Sequence, residues 1–117
     1  MSIEETMYLL VQIFEFAAQL GSAANDHLQG DLHIDIALCG IKGRALQFDP
    51  SSRFRPMLQD YVTNAEQISY SENFTKEQLI TQARELSLVP AIRIFQRFNW
   101  HPSQKLIRGI QAELPPI

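Results

Sequence analysis

The sequence predicts one α+β domain over residues 1–117: a long N-terminal helix, about three antiparallel strands with a central hairpin, then two or three C-terminal helices packed on one sheet face. Three observations carry this. Leu32, Ile34, Ile36 and Leu38 alternate with His33, Asp35, Ala37 and Cys39. A period of two puts each set on its own face of a β-strand. The stretches before and after this strand repeat their apolar residues every three or four positions, the period of a helix with one buried face. Glycine, proline and capping residues stand where one pattern gives way to the next.

The first helix begins at Ser2-Ile3-Glu4-Glu5, the form of a capping box. Acids in the first turn also suit the positive end of the helix dipole. Ile3, Met7, Leu10, Phe14, Ala17 and Ala18 set its apolar face to about Leu20, with Val11 and Ile13 widening it, and Gly21 is the expected stop. A face this broad implies deep packing, or packing on two sides. Ser22 to Gly30 is a polar connection. After Cys39 come Gly40-Ile41-Lys42-Gly43, glycines suited to a reversal that needs positive φ. Apolar residues resume at Leu46 and Phe48, so the pattern reads as a hairpin. Asp49-Pro50-Ser51-Ser52 is turn chemistry. Residues 53–66 read as a short helix or an irregular loop around Phe54, Met57, Leu58, Tyr61 and Val62. Ile68 and Tyr70 alternate with polar neighbours, which makes 67–71 the third strand.

Thr75-Lys76-Glu77-Gln78 is a second capping box and opens a helix with Leu79, Ile80, Ala83 and Leu86 on one face. Pro90 lacks an N–H and crowds the turn before it, so the helix should kink or restart near Ser87 and Leu88. Ala91, Ile94, Phe95 and Phe98 form the next stripe. Asn99 to Pro102 breaks it, Ser103 caps a last helix with Leu106, Ile107 and Ile110, and Pro115-Pro116 ends it.

Hydrophobic content of 45% and charged content of 20% are those of a globular chain, not a disordered one. The single cysteine, Cys39, excludes an intrachain disulfide and fits a reducing compartment. The apolar run from Met7 to Leu20 is too short to span a bilayer and is broken by Gln12, Glu15 and Gln19. No basic residue precedes Lys42, so the start is a poor signal peptide, and the expected location is the cytoplasm. Net charge is −3, unevenly placed. Residues 1–41 carry Glu4, Glu5, Glu15, Asp26, Asp31 and Asp35 and no base, while residues 42–117 carry all ten bases. Such polarity orients a partner or self-association.

The chemistry is thin. His33, Asp35 and Cys39 share a strand face, but zinc needs about four converging ligands, and no paired spacing supplies them. Cys39 would need one of His27, His33 or His101 as a base to act as a nucleophile. No phosphate-cradling glycine motif is present. The expectation is therefore no catalytic, cofactor-binding or metal-binding residue. Lys42, Arg44, Arg53 and Arg55, interleaved with Phe48 and Phe54, are the residues suited to nucleic acid, since bases neutralise phosphates and aromatics stack. Trp100, beside Asn99 and His101-Pro102, is placed at a helix corner. With Met7, Leu10 and Phe14 it makes the set expected near a homo-oligomer interface, where exposed aromatics concentrate binding energy.

Three segments, Phe14–Leu20, Ile34–Leu38 through Gly43–Pro50, and Arg93–Trp100 with its Arg-Phe-x-Trp, resemble a C-terminal accessory region of bacterial proteins that begin with a Schlafen-type AlbA putative DNA-binding domain. The AlbA domain itself is absent from this chain, so no nucleotide- or DNA-binding residue carries over. The resemblance implies an interaction or oligomerisation module in a bacterial regulatory or defence setting. The functional expectation is a non-catalytic protein-interaction domain that self-associates or binds another protein, with no membrane partner. A nucleic-acid-associated accessory domain is the second reading, and a small enzyme using Cys39 or a histidine the third.

Overall fold

A computed structural model describes residues 1–23, 31–54, 57 and 59–116. Four helices and one antiparallel pair of strands follow in the order α1 (Ile3–Ala23), β1 (Leu32–Cys39), β2 (Gln67–Phe74), α2 (Lys76–Leu86), α3 (Leu88–Arg97) and α4 (Gln104–Ala112). The α+β class and the three C-terminal helices match the sequence expectation. The sheet has two strands rather than about three.

The expected buried face of α1 is the one that folds inward. Ile3, Met7, Leu10, Val11, Phe14, Ala17 and Ala18 all lie in the core. The helix starts as the capping pattern requires, with the Glu5 N–H donating to Ser2 Oγ at 3.2 Å. In place of a carboxylate reaching back to the Ser2 N–H, Glu4 accepts from the Asp49 N–H at 3.0 Å, and the Ser2 hydroxyl donates to Asp49 Oδ1. The N-terminal cap is thus closed by a residue 45 positions away in sequence from Glu4. Gly21 does not stop the helix, which continues to Ala23. It is buried within it, where a Cβ would lie 3.2 Å from Leu32 Cδ1, so its role is the close approach of α1 to the start of β1.

β1 has the predicted faces: Ile34 and Ile36 are buried, Leu38 and Leu32 half-buried, and His33, Asp35, Ala37 and Cys39 exposed. The pairing differs from the predicted hairpin. β1 pairs with β2, Leu32 opposite Phe74 through Cys39 opposite Gln67. This register sets Leu32 against Phe74, Ile36 against Tyr70 and Leu38 against Ile68 on the inner face, with the exposed Glu72 opposite Ile34. The segment 44–48 holds only two apolar residues in strand spacing and cannot match that. The chain does turn after Cys39, with Gly40 at φ +68° and Gly43 at φ +80° and the Arg44 N–H donating to the Ile41 carbonyl at 3.0 Å. It then runs alongside two other segments. Leu46 N–H donates to the Tyr61 carbonyl, and Gln47 N–H to the Met1 carbonyl, each at 3.0 Å.

Both halves of the Thr75 capping box form, with Gln78 N–H donating to Thr75 Oγ1 and Thr75 N–H to Gln78 Oε1. Leu79 and Ala83 are buried and Leu86 half-buried, but Ile80 is exposed rather than on the core face. The helix breaks at Ser87, as Pro90 requires: α2 ends, and α3 carries Pro90 in its first turn, where a missing N–H costs nothing. The break is bridged to α4. The Gln111 side-chain amide donates to the Arg84 carbonyl at 2.8 Å, and Arg84 Nη2 donates to the Gln111 carbonyl at 2.9 Å. Asn99, at φ +65°, ends α3, and the Trp100 N–H turns back onto the Phe95 carbonyl at 3.1 Å. Ser103 caps α4 through the Leu106 N–H.

Candidate interaction surface

The residues expected at an interface are inside the chain. Met7, Leu10 and Phe14 belong to the core, Phe14 with its ring edge-on to Phe74 at 5.5 Å. Trp100 is buried too, its ring 5.2 Å from Phe95 and 6.1 Å from Phe48, so it ties the 48–61 segment to α3. None of the four reaches the surface of one copy of the chain.

A different set on α1 does. Leu9 is 49% exposed, Phe16 61% and Leu20 46%, and Ile13 between them is half-buried. Their spacing is four, three and four, which lines them along one side of the helix. The reason is the breadth of apolar residues around α1. One stripe, from Ile3 to Ala18, is covered by the sheet and by α2, α3 and α4; the adjoining stripe is left in water. On one flank it runs into the core residues Leu10 and Ala17, and on the other into Glu5, Gln12 and Gln19, all exposed. Among the described residues Ile80 and Val89 are the other large apolar side chains as open as these, and they stand on separate helices. The four-three-four spacing stands in the sequence, but nothing there says that the neighbouring elements leave this stripe uncovered.

The outer face of the sheet is polar and internally satisfied. His33 Nδ1 lies 2.7 Å from Asn73 Oδ1, and the Ser71 hydroxyl donates to Asp35 Oδ1 at 2.7 Å, both across the ladder. His33 and Asp35 are thus held by β2, and Cys39 is exposed at the end of β1. Among the described residues no group of His, Cys, Asp or Glu could hold a metal ion, and no histidine is hydrogen-bonded to Cys39. His27 lies outside the described residues.

The basic cluster is spread over different elements. Lys42 and Arg44 are exposed on the turn after β1. Arg53 is hydrogen-bonded to Glu113 at the C-terminal cap of α4, and its guanidinium lies 5.0 Å from the centre of the Phe54 ring. Arg55 lies outside the described residues. A cleft of about 410 Å³ opens beside Phe48, Phe54 and Met57, but its Asp49 already accepts from Ser2.

No protein-family model matches this chain, and no curated protein or solved structure matches it. No helix among the described residues is long and apolar enough to cross a membrane.

Two electrostatic features flank these surfaces. Arg108 makes a two-pronged contact with Glu85, through Nη1 at 2.7 Å and Nη2 at 2.5 Å, and this hydrogen bonding holds the Glu85 carboxyl below its ordinary range. Burial in the sheet's inner face pushes the Tyr70 phenol up; Arg93, 5.4 Å from the ring centre, pulls against it.

Proposed function

We propose that this chain is a non-catalytic protein-interaction domain that associates with itself. The observation that carries this reading is the exposed stripe of Leu9, Phe16 and Leu20. Together these side chains leave on the order of 300 Å² of apolar surface in water along one side of α1, the size of the largest patch on a typical monomer, which is often functional. The charge arrangement supports it: the span from Leu9 to Leu20 holds one charge, Glu15, and that side chain lines the cleft beside α2, away from the stripe. Covering the stripe therefore desolvates no ion. The setting, a bacterial regulatory or defence system, rests on the sequence resemblance alone.

Light scattering tests the reading directly. A dimer of micromolar affinity should be the main species at ~100 μM and should dissociate on dilution below ~1 μM. A chain that stays monomeric at ~100 μM refutes self-association.

A further inference from the structure

Resting on that reading, we infer that the second copy docks on α1 itself, with the two α1 helices antiparallel across a two-fold axis passing between Ile13 and Phe16. The four-three-four spacing reads the same in both directions, so an antiparallel pair also sets stripe residues opposite one another. With Leu9 opposite Leu20 of the second copy, Ile13 falls opposite Phe16, and the two-fold axis repeats both pairs. The bulky Phe16 then meets Ile13, the one stripe residue already half sunk into its own core. A parallel pair would instead stack Phe16 on Phe16 and leave the shallow position at Ile13 unfilled.

Charge separates the two orientations as well. Glu5 stands on the exposed flank of the stripe, and the positive group that interacts with it is the Met1 ammonium, at the same end of the helix. Parallel helices would bring both Glu5 carboxylates, and the acidic first turns with them, to the same end of the interface. In the antiparallel pair the two Glu5 positions are about 28 Å apart along the axis, at 1.5 Å per residue. That is well beyond the ~10 Å screening length at 0.1 M salt. The helix dipoles also oppose in the antiparallel arrangement. Gln12 and Gln19, on the same flank as Glu5, come next to each other's copies, where two amides can exchange hydrogen bonds without a charge being buried.

The area fits a weak dimer. The stripe itself supplies about 300 Å² per copy, so even with the Gln12 and Gln19 flank added the interface sits at or below the roughly 1,000 Å² total of a specific one. This is the reason to expect micromolar rather than nanomolar affinity.

The test is disulfide capture in a Cys39→Ser background. Two chains are made, one with Leu9→Cys and one with Leu20→Cys, each checked by circular dichroism and by its mass under reducing conditions at ~100 μM. A disulfide needs Cα atoms within about 7 Å. In the antiparallel pair the two copies of position 9 are about 16 Å apart along the axis, so neither chain alone should cross-link, whereas an equal mixture should yield the 9–20 linked dimer. Cross-linking of each chain alone, with none added by mixing, overturns the orientation in favour of a parallel pair. A dimer by mass with no cross-link in any sample overturns the α1 interface while leaving self-association standing. A wild-type chain monomeric by mass at ~100 μM overturns both. Phe16→Asp gives an independent check: the dimer should be lost with the far-ultraviolet spectrum unchanged, and a dimer that survives it refutes the placement.

Discussion

Phe14 and Phe16 are two residues apart on one helix, yet their truncation to alanine should have opposite consequences. Phe14 is 0% exposed, and its ring is edge-on to Phe74. Phe14→Ala removes a fully buried ring and leaves a cavity between α1 and β2, which should cost about 3–5 kcal/mol of folding stability. Phe16 is 61% exposed. Full burial of such a side chain stabilises by about 1.5–3 kcal/mol, so the covered minority of Phe16 contributes roughly 0.5–1 kcal/mol. No cavity follows, because water already reaches the site. Alanine is the better helix former by a few tenths of a kcal/mol, which offsets part of the loss. Phe16→Ala should therefore change monomer stability by less than ~1 kcal/mol. Urea unfolding followed by Trp100 fluorescence at ~0.05 μM, well below a micromolar Kd, measures the monomer alone. Repeating it at ~100 μM adds the association term, and there the wild type should gain stability with concentration while Phe16→Ala should not. A loss of ~2 kcal/mol or more for Phe16→Ala at low concentration would place that ring in the core and refute the surface assignment.

Three further outcomes follow from the described contacts. Ile36→Ala should cost ~2–5 kcal/mol as a core truncation, whereas Asp35→Ala, on the exposed face, should stay within ~0.5 kcal/mol; equal losses in chemical unfolding would mean the strand's faces are reversed. Gln111→Ala should cost ~1–3 kcal/mol, because it strips a buried donor from the Arg84 carbonyl at the α2–α3 break, and an unchanged melting temperature would show that this contact does not hold α4 in place. The phenol of Tyr70 is held above its ordinary value of about 10, chiefly by burial, with Arg93 opposing. A raised folded-state pKa means that this stabilisation is complete below about pH 10 and is lost as pH rises through the folded value. Alkaline unfolding should thus shift to higher pH in Tyr70→Phe, and coincident alkaline transitions in the two proteins would remove Tyr70 as the cause.

Much of this protein is local, and those parts are readable along the chain. The core stripe of α1 from Ile3 to Ala18, the two faces of β1, the Thr75 and Ser103 caps and the break at Ser87 each depend on residues within one or two turns of each other. Side-chain periodicity, capping oxygens and the missing N–H of Pro90 mark them without reference to any distant residue. Three things were decided only by the whole molecule. β1 took β2 as its partner across residues 40–66, because Ile68, Tyr70 and Phe74 complete an apolar face that Leu46 and Phe48 cannot. Trp100 turned inward, because the left-handed Asn99 folds the chain back over Phe95. Most consequential for function, α1 carries apolar residues around so much of its circumference that the sequence marks two adjoining stripes as fit for burial. Periodicity counts apolar positions but not the neighbours available to cover them, and the sheet and the three later helices together cover only one stripe. Leu9, Phe16 and Leu20 are what remains, and tertiary packing alone selects them.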